Sequence, residues 1–272
     1  MQIFNQKRCA QRLGFTNLDL MRFLLILLFS TAILSAQVID DFSDGDFTTN
    51  PTWEGDTDDW IVDAGQLRSN GPAEQASIFL STAISLDNGP LEWRFFVNPK
   101  TNPSANNFMR VYLFADNADL PTANSFSVRV GGDTDDRISL FSLMGGVETL
   151  LINGVEDAVD ASESPYNVSV IYDAGLWTLS TDAGAFGLFE EIGSASSDLS
   201  LGPDGHFGVS ATFTSSNSQK YFFDDFYFGD VVVDDTPPEV VSALPTSNNE
   251  LLVAFSEPIT AESAVGTNFS IS

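Results

Sequence analysis

The chain is poor in thiols, imidazoles and positive charge. Its 272 residues include one cysteine, one histidine and 11 Lys+Arg against 38 Asp+Glu, a formal net charge of −27. So few bases exclude nucleic acid as a partner, because phosphate recognition needs a basic surface. A single cysteine, Cys9, excludes a disulfide scaffold. A Ser-His-Asp arrangement would have to use His206, which opens the β-like run HFGVS with no nucleophile-elbow motif nearby. No membrane span is expected either: the apolar run Phe23 to Ala36 has 14 residues, short of the ~20 a membrane helix needs.

That run has a different meaning. Lys7, Arg8, Arg12 and Arg22 precede it and a small residue, Ala36, ends it, the pattern of a secretory signal peptide over residues 1–36. Met21 heads a complete signal of its own, so residues 1–20 read as an overlong start. Removing residues 1–36 leaves 7 bases against 37 acids, a net −30 over 236 residues, and takes Cys9 away. The exported chain then has neither a Cys nucleophile nor a thiolate metal ligand. Acidity here does not mean disorder, since 43% of residues are hydrophobic and 23 are Phe, enough to bury a core.

From Gln37 to about Asp230 no helical period is sustained. Short alternating or aromatic runs recur instead, among them LEWRFFV (91–97), FMRVYLFA (108–115), SFSVRV (125–130), RISLFSL (137–143), YNVSVIY (166–172), LWTLST (176–181) and YFFDDFYF (221–228). Turn signals separate them at Asp87-Asn88-Gly89, Gly131-Gly132, Asn153-Gly154 and Asp173-Ala174-Gly175. The fold class expected is all-β, an antiparallel two-sheet jelly-roll sandwich over residues 37–231. Residues 232–238, with Pro237-Pro238, read as an extended linker. Residues 239–272 hold two more strand patterns but are too few for a sandwich core, so further domains are expected beyond Ser272.

Several stretches carry a family resemblance. DDFSDGDFTTNPTWEGDTDDWIV (40–62), NPSANNFMRVYLFADNADL (102–120), GLWTLSTDAG (175–184) and YFFDDFYFGD (221–230) resemble the N-terminal concanavalin/laminin-G-like module of large secreted Bacteroidetes proteins that also carry lamin-tail domains. DTPPEVVSALP (235–245), FSEPI (255–259) and NFSIS (268–272) resemble the start of a bacterial Ig-like domain of S-layer and adhesin-type proteins, making 239–272 an incomplete one. The resemblance implies an extracellular or outer-surface binding or adhesion module. It also implies a structural calcium where first and last strands meet, at Asp40/Asp41 and Asp224/Asp225, with Asp41 and Asp225 as candidate ligands.

The residues themselves place candidate chemistry in three groups. Acid-dense loops suit hard cations, which take oxygen ligands: GDTDD occurs at 55–59 and 132–136, although Leu67 and Met144 stand where an EF-hand needs its bidentate Glu. Trp93 and Trp177 share faces with apolar neighbours and read as core, while Trp53 and Trp60 in the opening loops are open to a binding or lid role. Third, Arg94, Arg110 and Arg129 occur mid-strand in successive strands. If those strands close symmetric hairpins, Arg94 faces Arg110 and Arg110 faces Arg129, with Tyr112 alongside. Such a row needs carboxylates from the same sheet or a bound anion. It is read as a concave face binding an acidic or hydroxyl-rich glycan or surface polymer. A ligand-free spacer predicts that internal carboxylates cover the row. A polysaccharide-active enzyme predicts a groove with two facing acids, but the E-x-D-x-E strand that would supply them is absent.

Overall fold

A computed structural model of the chain describes residues 38–86, 89–185, 187–197, 202–233, 237–247 and 250–256. The leader at 1–36, the turn residues Asp87 and Asn88, and residues 257–272 of the Ig-like segment lie outside the described residues.

Alternation of apolar and polar residues sets the strands, numbered in chain order. One sheet has eight: β1 (Val38–Asp40), β3 (Trp60–Asp63), β4 (Gln66–Ser69), β6 (Leu91–Pro99), β11 (Tyr166–Asp173), β12 (Leu176–Ala183), β13 (Glu190–Ser196) and β15 (Tyr221–Asp230). Their order is β13-β12-β11-β6-β15-β4-β3, with β1 also paired to β15. The second sheet has seven: β2 (Glu54–Gly55), β5 (Ala76–Ser85), β7 (Phe108–Ala115), β8 (Ser125–Gly131), β9 (Ile138–Met144), β10 (Val147–Ile152) and β14 (Asp204–Phe213). Its order is β10-β9-β8-β7-β14-β5-β2. Every described pairing is antiparallel, as expected of a jelly-roll sandwich. A separate hairpin, β16 (Val240–Ser247) with β17 (Glu250–Phe255), forms a two-stranded sheet.

Two-residue turns close three hairpins, at Ala64-Gly65, Gly145-Gly146 and Ala174-Gly175, each with both residues at positive φ. This mirror-image turn matches strand twist. Asn153-Gly154 does not turn a hairpin: β10 ends at Ile152 and a loop runs to Tyr166. Gly154 serves close approach instead, since a Cβ there would sit 2.1 Å from the Ile138 carbonyl oxygen.

The two sheets meet over an aromatic core. Phe126 of β8 stacks on Trp177 of β12 with ring centroids 4.5 Å apart, and Trp177 and Trp93 are 5.8 Å apart. Both tryptophans are fully buried, as their strand patterns predict. Trp53 and Trp60 are buried too, each 2% exposed, which removes the lid role left open for them. Trp53 packs between Phe42, Phe207 and Phe226, and its indole N–H donates to Asp40 Oδ2 at 2.7 Å.

Candidate functional site

Arg110 and Arg129 face each other across β7 and β8, as symmetric pairing predicts. Arg94 does not join them. The connection from β6 to β7 crosses between sheets instead of closing a hairpin, so Arg94 lies in the eight-stranded sheet opposite Ser169 and Tyr227. There it serves Glu92, whose carboxylate is 1% exposed and accepts from Arg94 Nε at 2.6 Å, Ser169 Oγ at 2.7 Å and the Val232 amide at 2.7 Å. The three-arginine row is thus a pair.

That pair occupies the outer face of the seven-stranded sheet. Glu148 on β10 reaches both: Oε1 lies 2.8 Å from Arg110 Nη2 and Oε2 3.2 Å from Arg129 Nη1. Asp133 takes the remaining side of Arg129 at 3.0 Å. Phe141 lies below them, with the Arg129 guanidinium 4.2 Å from its ring centroid, a cation–π distance. Tyr112 points to the same face but is 7% exposed, packed with Ala115, Leu120, Ala123 and Phe79 in a small second core. The 116–124 loop folds over it, and burial pushes its hydroxyl pKa up. Its ring is withdrawn from any ligand.

Further along this face, two adjoining hollows of about 470 and 360 Å³ share His206 and Ala83. Asp116 and Asp204 line one, Glu54 and Ser81 the other. The inward neighbour Phe207 is fully buried, so alternation sends His206 outward. Asp204 accepts from Ser85 Oγ at 2.8 Å, and Asp116 from the Asn124 amide and side chain at 2.9 and 2.7 Å. The groove therefore offers fixed carboxylates, hydroxyls and one imidazole, a set able to hydrogen-bond sugar hydroxyls. Sequence reading considered His206 only as the histidine a Ser-His-Asp arrangement would have to use. Its pairing with β5, and so the groove, depends on a partner strand more than 100 residues earlier in the chain.

Beside β1 and β15, first and last strands meet as anticipated: Asp40 lies opposite Phe226. The acids there do not follow strict alternation. A bulge at Asp224–Asp225, with Asp225 at φ 51°, lets both Phe223 and Phe226 enter the core. β15 also changes edge partner there, from β4 to β1. Asp225 and Asp41 are exposed; Asp224 is half-buried, accepts from Gln66 Nε2 at 3.1 Å, and has its pKa pushed up to about 6 by burial. The charges of Asp225 and Asp41 push it the same way. Among the described residues, however, no three acidic, imidazole or thiol groups come together in a geometry that could hold a metal ion. The fit of Asp41 and Asp225 to a calcium ion is not made by these side chains.

No helix among the described residues is long and apolar enough to cross a membrane. No family model matches the sequence, and no curated protein does. Similar solved structures include a legume lectin-like domain from Entamoeba histolytica, 14% identical over 71% of this chain and 97% of that one, TM-score 0.51. The exoplasmic/lumenal domain of VIP36, in its Ca2+/Man-bound form, is 14% identical over 84% of this chain and 99% of that one, TM-score 0.50. Arcelin-5, a lectin-like defense protein from Phaseolus vulgaris, is 12% identical over 71% and 97%, TM-score 0.50. At these identities the likeness is one of fold: the chain holds a lectin-like jelly-roll sandwich.

Proposed function

We propose that the sandwich is a non-catalytic glycan-binding module of an exported, extracellular or outer-surface protein, with the outer face of the seven-stranded sheet as its ligand surface. The observation that carries this reading is the His206 groove, where the Asp116 and Asp204 carboxylates and the Ser85 hydroxyl, held by their own hydrogen bonds, face solvent. Neighbours with this fold include the Ca2+/Man-bound domain of VIP36, in keeping with such a role. Arg110 and Arg129 would give the face its affinity for acidic sugars, if the ligand's carboxylate replaces Glu148.

A ligand-free spacer is the second reading. It is favoured by the saturation of Arg110 and Arg129 by Glu148 and Asp133, the covered state expected of a purely structural sheet. A glycan array separates the two. The binding reading expects wild-type protein to retain defined glycans, His206→Ala to lose them, and Arg110→Ala to lose the acidic ones selectively. Wild-type protein that retains nothing would leave the spacer reading in place. Release of reducing ends from a retained polysaccharide would move the protein to the enzyme class.

A further inference from the structure

Strand β13 ends the eight-stranded sheet, a margin of the sandwich that the His206 groove does not use. Its backbone is open to pairing. The Ser197 amide donates to the Gly175 carbonyl at 2.9 Å. By alternation Gly193 and Ala195 also turn their N–H and C=O groups toward β12, where they lie opposite Leu179 and Trp177. The N–H and C=O of Ser194 therefore point away from the sheet, and no strand among the described residues lies there. Edges are normally protected by charge, proline or a bulge. Here a bulge at Ile192 and the acids Glu190 and Glu191 guard the start of β13, while Gly193 to Ser196 carries neither charge nor proline.

A cavity of about 290 Å³ adjoins this edge between the two sheets. Its apolar lining comes from Ile192 of β13, Tyr166 of β11, Ile138 of β9, and Val155 and Leu188 in loops. The sheets close beside it, where a Cβ added to Gly193 would stand 3.5 Å from Ile152 Cγ2 of β10. Val155 and Leu188 are 56% and 48% exposed, so the rim is apolar and meets water. Such a volume is at the small end for a ligand pocket and suits one side chain better than an oligosaccharide.

The charged groups of the cavity are of one sign. Asp182, 1% exposed, lines it and accepts from the Gly187 amide at 2.7 Å and the Asn167 side chain at 3.1 Å. Glu190 lines it too, and no base does among the described residues. Arg137, next to Ile138 in the chain, is engaged by Asp135, Glu156 and the Gly154 carbonyl.

We propose that the β13 edge and this cavity form a docking site for an extended, basic peptide segment of a partner protein. The segment adds a strand beside Ser194 and places one apolar side chain in the cavity against Ile138 and Ile192. Its flanking lysines or arginines meet Glu190 and Glu191. Charge selects this occupant: a second copy of the chain would bring −27 against −27, whereas a basic segment is drawn to the margin. The site is separate from the glycan surface on the other sheet.

Fluorescence anisotropy with synthetic nine-residue peptides tests it on the full chain. The probe alternates lysine and valine around a central leucine. Three controls replace that leucine with serine, replace the lysines with glutamate, or methylate the backbone amides along one edge. The protein should bind the probe at least about tenfold tighter than each control, and the affinity should fall as salt rises. Ala183 and Glu190 both line the cavity and are exposed, so substitutions there leave the core intact. Ala183→Trp, which fills the cavity, and Glu190→Lys should each weaken binding about tenfold, with Tm unchanged. Glu74→Lys makes the same charge change on the loop before β5 and should leave binding within about twofold. Equal affinity for the probe and either the serine or the methylated control overturns the proposal. So does a loss in Glu190→Lys no larger than in Glu74→Lys, or no saturable binding up to about 1 mM. Sedimentation of the chain as a dimer that Ala183→Trp dissociates would assign the edge to a second copy and overturn it as well.

Discussion

Arg110 and Arg129 stand directly opposite each other across the β7–β8 ladder, and one carboxylate, Glu148, serves both. Two like charges about 5 Å apart repel by up to ~3 kcal/mol at an effective dielectric near 20. Their side chains are only 12% and 16% exposed, so water offsets part of that. Glu148→Gln keeps the shape and removes the charge. It should cost about 1–2 kcal/mol in urea unfolding, a figure reduced because Glu148 is 35% exposed. The deficit should shrink at 1 M salt, where exposed charges are screened. Adding Arg110→Met should restore part of the loss, as a double-mutant cycle would record.

Glu92 and Arg94 grip the backbone of one residue from both sides. Glu92 Oε2 accepts from the Val232 amide at 2.7 Å, and Arg94 Nη2 donates to the Val232 carbonyl at 3.2 Å. The segment leaving β15 is therefore held on the sheet by side chains, without a ladder. Arg94→Met leaves the buried Glu92 carboxylate without its cation and should cost about 1–3 kcal/mol, less than for a fully buried pair because Arg94 is 34% exposed. Amide exchange at Val232 should speed up in Glu92→Gln by more than at Phe228, whose amide environment lies in the strand itself. Equal rates in variant and wild type at Val232 would remove the clamp.

How far the sequence reveals this molecule depends on the range of the interaction. Strand faces were legible because alternation is local: Trp93, Trp177, Val128 and Phe207 all point inward as their patterns require. The pairing of Arg110 with Arg129 was legible for the same reason, since β7 and β8 are chain neighbours. Arg94 was misplaced because nothing between residues 99 and 108 marks a change of sheet. Asp225 leaves the face that alternation would give it with Phe223, because a bulge reverses parity there. Strands β3, β4, β5 and β13 escaped notice, being short or rich in Ser, Ala and Glu. The burial of Tyr112 follows from Leu120 and Ala123 in a loop, and loops carry no period. The His206 groove joins β5, β14 and the residue that follows β7, which only the folded chain brings together.

Asp224 gives stability a pH dependence of definite sign. Its pKa is pushed up from 3.8 to about 6 in the folded protein, so the folded state binds the proton more tightly than the unfolded chain. Its favourable contribution is complete below about pH 4 and is lost as pH rises through about 6. Asp224→Asn should therefore flatten the stability profile between pH 4 and 6.5 and raise Tm at pH 7 relative to wild type. The Gln66 amide can still reach the asparagine oxygen, so folding should survive. A variant less stable than wild type at pH 7 would show that the ionised form is the better accommodated one.

Asp40 and Trp53 offer a related test at a deeper site. Asp40 is 9% exposed, and burial raises its pKa against the two donors that favour its charge, Trp53 Nε1 and the Phe42 amide. Trp53→Phe removes one donor and keeps an aromatic ring among Phe42, Phe207 and Phe226. A hydrogen bond to a charged group is worth about 1.5–3 kcal/mol, and the smaller ring leaves a cavity that adds to the loss. Only the first part depends on ionisation. With a donor gone, the Asp40 pKa should climb further, and protonation then relieves the unpaired oxygen. The destabilisation by Trp53→Phe should consequently be largest near pH 7 and diminish towards pH 4, leaving the cavity cost alone. A deficit equal at both pH values would mean that packing, and not the Asp40 charge, is what the indole N–H secures.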